Sequence, residues 1–172
     1  MKWFLKALRQ YADFKGRARR KEYWMYTLFV IIFAIVVTIL DFVLGLRLTI
    51  TELDELNIPV ELGLLNTLLG LALFIPSWAV LVRRLHDVGK SGWWCLIVFI
   101  PSIINAIIML TLYFEVFDLE ILTAIKWLLF ASSVVLVGLI VCCTILIVWC
   151  CTDGQPGENK WGVNPKEEIE MS

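Results

Sequence analysis

Long apolar runs alternate with short polar connections along most of the chain. Four of these runs, at about residues 23–46, 62–82, 93–113 and 127–151, are long enough to form membrane-spanning helices. A helix needs roughly 20 apolar residues to cross a hydrocarbon core about 30 Å thick. We therefore predict an all-α integral membrane protein, a four-transmembrane-helix bundle that forms one membrane domain over residues 1–172.

The two ends of the chain have patterns of their own. In residues 1–22 the stretch MKWFLKALRQYADF repeats apolar residues at three- and four-residue spacing, with basic residues between them. This pattern is typical of a short amphipathic helix lying in the cytoplasmic membrane interface, and Gly16 is expected to end it. In the tail, residues 152–172, glycine, proline and asparagine recur, which predicts a turn-rich segment instead of a helix.

The composition fits the membrane class and excludes an ordinary soluble domain. Hydrophobic residues make up 60 % of the chain and charged residues 18 %, and the mean hydropathy is +0.82. Soluble domains have about 25 % charged residues. The low charge content therefore supports the prediction of a membrane protein.

The basic residues are distributed unevenly among the polar segments. The N-terminal segment, the central connection RRLHDVGK and the tail hold 13 of the 15 lysines and arginines. Because cytoplasmic segments of membrane proteins are enriched in these residues, we predict that both termini and the central connection are cytoplasmic. The other two connections are mainly acidic, with Asp54, Glu55, Asp118 and Glu120 among their residues, and are predicted to lie outside.

Two prolines lie at similar depth in the second and third predicted spans. Pro76 precedes the central connection and Pro101 follows it, and a proline inside a helix favours a kink. The short connection predicts an antiparallel hairpin of these spans. We interpret the two kinks as features of helix packing, with a transporter site between interrupted helices as the alternative.

Other polar groups within the spans are interpreted as structural. Asp41, the one acid inside a predicted span, is expected near the outer interface, where water solvates it. Cys142, Cys143, Cys150 and Cys151 of the fourth span have no standard metal-ligand spacing and are interpreted as small buried hydrophobes. No metal or other cofactor is predicted.

The most polar stretch between two spans is RRLHDVGKSGWW, residues 83–94. Its His-Asp pair resembles the metal-binding dipeptide of HD-type phosphohydrolases, but such sites need several histidines and the chain has one. We therefore predict no catalytic residues and no enzyme. Instead, Arg83 and Asp87 are expected to pair on one helical face, Gly89 to end the second span and Ser91 to cap the third.

Three blocks of sequence carry a resemblance to a known family. They are FKGRARRKEYW (14–24), RRLHDVGKSGWW (83–94) followed by Pro101, and TDGQPGENKWGVNPK (152–166). In order and spacing they resemble the bacterial inner-membrane family known as domain of unknown function 805, the YhaH-like proteins. The resemblance implies a four-helix, multi-pass protein of the bacterial inner (plasma) membrane with an unassigned biochemical role. Gly154 and Trp161 depart from it, since serine and tyrosine are expected there.

All three blocks fall on the predicted cytoplasmic side, which suggests one polar network at the cytoplasmic mouth of the bundle. Such a network is a candidate site for the anionic group of a lipid, and the alternative is a salt-bridged cap that only fastens the helices. Its candidate members are Arg17, Arg19, Arg20, Glu22, Arg83, Arg84, His86, Asp87, Asp153, Glu158 and Asn159.

The function expected from these patterns is that of a small membrane binding or scaffold protein with an arginine-rich cytoplasmic cap. Its expected partners are the lipid bilayer, with anionic phospholipid as a candidate ligand, and a homo-oligomer or another membrane protein; nucleic acid is not expected. The alternatives are a small oligomeric transporter or channel subunit, and an interface enzyme that uses His86 and Asp87.

Overall fold

The structure, a computed structural model, describes residues 2–53, 58–115 and 121–166. In these ranges it contains five α-helices, one 3₁₀ helix and a two-stranded antiparallel hairpin. In chain order they are α1 (Lys2–Arg9), α2 (Arg20–Leu44), β1 (Arg47–Leu53), β2 (Ile58–Gly63), α3 (Leu64–Asp87), the 3₁₀ helix (Gly92–Val98), α4 (Phe99–Glu115) and α5 (Ile121–Cys151). The acidic residues Asp54, Glu55, Asp118 and Glu120 and the tail beyond Lys166 lie outside the described residues.

Three of the helices are long and apolar enough to cross a membrane: α2, α3 and the part of α5 from Leu129 to Cys151. They overlap the first, second and fourth predicted spans. Many of their apolar side chains remain exposed, with Val43 of α2 at 70 % and Leu71 of α3 at 68 %. Exposed apolar surface on this scale marks a face that contacts lipid or another apolar partner.

The third predicted span is divided into two kinds of helix. The residues after the central connection form the 3₁₀ helix, α4 begins only at Phe99, and Gly92–Ile108 is a shorter apolar helical stretch than the other three. Pro101 lies in the first turn of α4, where backbone N–H groups have no partner within the helix. Instead of a continuous α-helix interrupted at Pro101, the structure has a change of helix type two residues before that proline, whereas Pro76 lies inside α3.

The N-terminal amphipathic pattern forms α1, but its buried face contacts protein. Phe4 and Ala7 are buried in one cluster with Tyr26 of α2 and Val80 of α3. The helix ends at Arg9, so the prediction that Gly16 ends it was wrong. Short helices are stabilised mainly by packing of a buried apolar face. The later apolar residues of this segment are exposed, so they supply no such face for another turn.

Asp41 is buried, although it was expected to be solvated by water. It is only 3 % exposed, and its carboxylate accepts hydrogen bonds from the amides of Leu65 (3.0 Å) and Asn66 (2.9 Å). These amides belong to the first turn of α3, where unpaired N–H groups and the helix dipole favour an anion. Asp41 thus connects the end of α2 to the start of α3 beside the β1–β2 hairpin, which the sequence pattern did not predict.

The connection between α3 and the 3₁₀ helix agrees only in part with expectation. Gly89 takes a positive φ of 77°, and its amide donates to the carbonyl oxygen of His86 at the end of α3. Ser91 occupies the N-cap position of the 3₁₀ helix without a side-chain capping bond. The predicted hydroxyl cap was therefore wrong, and the backbone carbonyl of Ser91 accepts from the amide of Trp94 instead.

Candidate functional site

The three sequence blocks that carry the family resemblance meet at the end of α3. Its last five residues, Arg83–Asp87, are all buried, including four with polar or charged side chains. Buried charges require partners, and these come from residues 6–22, from the end of α5 and from the tail up to residue 165. We call this assembly the polar cap.

Asp87 is the acidic centre of the polar cap. Its Oδ1 accepts a hydrogen bond from Nε of Arg17 at 2.9 Å, and its Oδ2 accepts one from Nη1 of Arg84. The side chains of the two arginines are 1 % and 0 % exposed. The expected Arg83–Asp87 pair was therefore wrong: Arg84, three residues before Asp87, faces the tail, whereas Arg83 faces α2.

The remaining donors of Arg84 bind backbone carbonyls of neighbouring segments. Its Nε donates to Cys150 at 3.2 Å, its Nη1 to Ala18 at 3.2 Å and its Nη2 to Thr152. Cys150 lies in the last turn of α5, where carbonyls have no partner within the helix and a cation is favourable. Arg84 thereby fastens the end of α5 to α3.

A second buried ion pair joins α1, α2 and α3. Glu22 is fully buried, and its carboxylate lies 2.8 Å from Nζ of Lys6 and 3.4 Å from Nη1 of Arg83. The same Nη1 donates to the side chain of Gln10, while Nη2 of Arg83 is buried with no hydrogen-bond partner among the described residues. Lys6 and Gln10 were not on the sequence-based list. Lys6 lies in α1, and Gln10 follows the last residue of that helix directly.

His86 contacts the tail through its ring. The imidazole stacks on Trp161 with ring centroids 4.6 Å apart and an interplanar angle of 11°. Its Nδ1 lies 3.2 Å from the carbonyl oxygen of Gly16, and because a carbonyl only accepts, Nδ1 is the donor. The backbone carbonyl of His86 accepts from Asn159 at 3.0 Å, so His86 holds the tail against the N-terminal segment.

The outer part of the polar cap is more exposed. Asp153 pairs with Arg20 at 3.1 Å, and the hydrogen bond and charge of Arg20 lower the pKa of that carboxyl. Arg19 donates to the carbonyl of Pro165. Glu158 is exposed and pairs with no arginine in the part of the chain that the structure describes, which contradicts its expected role.

The departure at Gly154 fits this packing. An ideal Cβ at Gly154 would overlap Oδ2 of Asp87, so the tail approaches the buried carboxylate more closely than a serine side chain allows. The adjacent amide of Gln155 donates to the carbonyl oxygen of Asp87 at 2.8 Å. Ten of the eleven predicted residues thus lie in the polar cap, and Glu158 is the exception.

Two cavities in the polar cap differ in size. The space beside Arg20, Arg84 and Asp153 measures about 20 Å³, which is close to the room that one water needs. A larger cavity of about 510 Å³ lies between α1, the N-terminal connection and the tail. We call it the polar cleft, and the side chains that matter for its chemistry are Lys6, Gln10, Asp13, Lys15, Arg17 and Arg83.

Comparison with known proteins places the chain in a family. The family model described as a protein of unknown function, DUF805, matches residues 11–118. Inner membrane protein YhaH of Escherichia coli K12 is 38 % identical over 168 residues, covering 98 % of this chain and 99 % of YhaH. Inner membrane protein YhaI of the same strain is 33 % identical over 166 residues, covering 96 % and 97 %. No solved structure matches the chain. The chain therefore belongs to the DUF805 family of proteins of unknown function.

Proposed function

We propose that the protein is an inner-membrane binding protein whose polar cleft holds the head group of an anionic phospholipid. In this proposal the chain crosses the bilayer four times and keeps both termini and the polar cap in the cytoplasm. The inner-membrane relatives support the location. The three long apolar helices together with the Gly92–Ile108 stretch support four crossings.

The charge balance of the polar cleft is the observation that carries the proposal. Four cationic side chains line it, namely those of Lys6, Lys15, Arg17 and Arg83, with one lining carboxylate, Asp13. Two further carboxylates, those of Glu22 and Asp87, lie behind the cleft lining and form ion pairs with three of these cations. Among the residues that the structure describes, one cation therefore remains in excess, and the cleft favours an anion.

Two groups in the cleft have unused capacity to bind that anion. Lys15 is exposed and forms no ion pair with the residues that the structure describes. Arg83 also lines the cleft, and its buried Nη2 has no hydrogen-bond partner among the same residues. Phosphate oxygens accept short, charge-assisted hydrogen bonds from such groups. At about 510 Å³, the cleft also has the volume of ordinary small-molecule sites.

The position of the cleft favours a lipid as the source of the phosphate. Arg83 is near the end of α3 and close to the membrane boundary of an apolar helix. Basic residues at such a boundary are attracted to anionic head groups by about 1 kcal/mol each. The predicted site between the arginines around Asp87 is filled by the protein itself. The polar cleft, which Lys6 and Lys15 line, is therefore the better location for a lipid head group.

A charge reversal at Lys15 tests the proposal. Loss of one charge-assisted hydrogen bond costs about 1.5–3 kcal/mol, so Lys15→Glu should weaken phosphatidylglycerol binding by about tenfold or more. Lys21→Glu is the matched control, because Lys21 is also exposed but lies in the first turn of α2 outside the cleft lining. Native mass spectrometry of the detergent-purified full chain measures the bound phosphatidylglycerol, with phosphatidylcholine as the neutral comparison.

The two variants separate a site from a diffuse charge effect. A selective loss in Lys15→Glu supports the polar cleft. Equal binding in wild type and Lys15→Glu, or equal losses in both variants, would contradict it.

The orientation has its own test. A green fluorescent protein fused after Ser172 should fluoresce, and alkaline phosphatase fused at the same place should be inactive, because the tail is proposed to be cytoplasmic. The reverse pair of results would overturn the orientation and the use of a cytoplasmic-leaflet lipid.

A further inference from the structure

An apolar groove of about 720 Å³ runs beside the polar cap along α3. Its α3 wall includes Phe74, Trp78, Val82 and His86, four residues apart in each step. This spacing keeps the side chains on one face of the helix. Phe74 and His86 are twelve positions apart, which corresponds to about 18 Å along the helix, whereas one leaflet of the hydrocarbon core is about 15 Å thick. The groove is therefore as deep as a single leaflet.

The 3₁₀ helix forms the opposite wall. An ideal Cβ at Gly92 would lie 2.6 Å from Cγ1 of Val82, so the two helices approach closely at this glycine. Trp93 and Leu96 then extend along the groove. At its far part Phe99 stacks on Trp78, with ring centroids 5.6 Å apart and an interplanar angle of 17°.

The groove and the polar cleft adjoin at Trp161. This residue lines both cavities, and its ring stacks on His86 at the cap end of α3. Phe14 lines the groove, and its neighbour Lys15 lines the cleft. A cationic compartment thus lies next to an apolar one that leads along α3 away from the polar cap.

We propose that one acyl chain of the anionic phospholipid occupies this groove while its head group lies in the polar cleft. This inference rests on the proposed function and extends it: the protein recognises an acyl chain of the lipid as well as its head group. The order of the compartments, cationic at the cap and apolar along α3, matches the order of charge and hydrocarbon in a lipid of the cytoplasmic leaflet.

The groove lining favours an acyl chain over a peptide. Its side-chain hydrogen-bonding groups are those of His86, Ser91 and the indole N–H groups of its tryptophans, which only donate. The other residues of the α3 wall beyond His86 are Val82, Ile75 and Phe74, which have no such group. An extended peptide would bring N–H and C=O groups that find few partners along this wall, and burying them unpaired is unfavourable. A hydrocarbon chain has no such groups.

Two lipids that share a head group but differ in acyl-chain length distinguish binding in the polar cleft from binding in the apolar groove. Dihexanoyl phosphatidylglycerol carries the anionic head group but chains too short to fill the groove, whereas dioleoyl phosphatidylglycerol fills it. Native mass spectrometry of the full chain, titrated with each lipid, should show that wild type prefers the long-chain lipid by about tenfold or more.

A groove-filling substitution tests where this preference arises. Leu96 is 40 % exposed and lines the groove, so Leu96→Trp should fill it from the exposed side. This variant is expected to lose the long-chain preference and to bind the short-chain lipid within about twofold of wild type. Leu71→Trp, at a 68 % exposed site of α3 outside the groove lining, is the matched control and should change neither affinity.

A second variant covers the case in which Leu96→Trp does not fold. Trp93 is 80 % exposed, so Trp93→Ala removes a groove wall without opening the core. It should lower the affinity for the long-chain lipid and leave the affinity for the short-chain lipid unchanged.

The outcomes distinguish this inference from the proposed function. A long-chain preference that persists in both groove variants overturns the acyl-chain site, even if Lys15→Glu weakens both lipids and so supports the head-group site. If Lys15→Glu weakens neither lipid, the head-group site fails, and this inference fails with it.

Discussion

Replacing Asp87 by asparagine should release the tail from the polar cap. The Asp87 side chain is 6 % exposed and accepts hydrogen bonds from two arginines that are almost fully buried. Asn keeps the size of the side chain but leaves these two cations without their carboxylate. Breaking a buried ion pair costs about 3–5 kcal/mol. Because Arg17 and Arg84 keep their bonds to backbone carbonyls, we expect the lower end, about 3 kcal/mol.

Amide hydrogen exchange at Gln155 measures this release directly. Its N–H donates to the backbone carbonyl of Asp87 at 2.8 Å, so it exchanges when the tail opens locally. About 3 kcal/mol corresponds to roughly a hundredfold faster exchange. Asp153→Asn is the control, because that carboxylate pairs at the exposed rim with a side chain that is itself 47 % exposed. Exchange within about threefold of wild type in Asp87→Asn, or equal acceleration in both variants, would refute the reasoning.

Three further predictions follow from single contacts. Gly154→Ser should lower the thermal midpoint in detergent by displacing the tail from Asp87, at a cost of about 1–3 kcal/mol; an unchanged midpoint would show that the tail has room. Asp41→Ala should destabilise α3 by about 1–2 kcal/mol, and Asp41→Asn, which keeps an acceptor, should restore part of that loss. Since Arg20 lowers the pKa of Asp153, their pair stabilises the tail above pH 3.8 and is lost as the pH falls through the lower folded value. The Asp153 carboxyl should therefore titrate below 3.8 by carbon-13 NMR and return toward 3.8 in Arg20→Gln; a wild-type midpoint at or above 3.8 would contradict this.

Hydrophobic patterning predicted the long helices because their environment imposes one requirement. A helix such as α2 must be apolar over the roughly 20 residues that cross the hydrocarbon core, and this requirement is visible in a window of the sequence of that length. The break before α4 was not visible in the same way. The 3₁₀ helix is apolar like the helix it precedes, and it begins at Gly92, which closely approaches Val82 of another helix.

The composition of the polar cap was predictable, but the pairing inside it was not. The spacing of Arg83 and Asp87 allowed a local pair, and the sequence contained no sign that Glu22 would be buried beside Arg83. Partner choice depends on which way α3 faces two distant segments, and this orientation is set by tertiary packing. The same reason explains Asp41, since its role as a cap depends on the return of the chain at Leu65.

The burial of the arginines determines which substitutions can test ligand binding. Arg84 is completely buried and holds Asp87, α5 and the N-terminal segment together, so a variant that loses both Arg84 and lipid would report only an opened cap. Arg83 lines the cleft but also neutralises the buried carboxylate of Glu22. Lys15 contributes an exposed amine that forms no ion pair with an acid among the described residues. A substitution at Lys15 should therefore change lipid binding without changing stability, whereas substitutions of Arg83 or Arg84 would change both, although the arginines are the more conspicuous cations in the sequence.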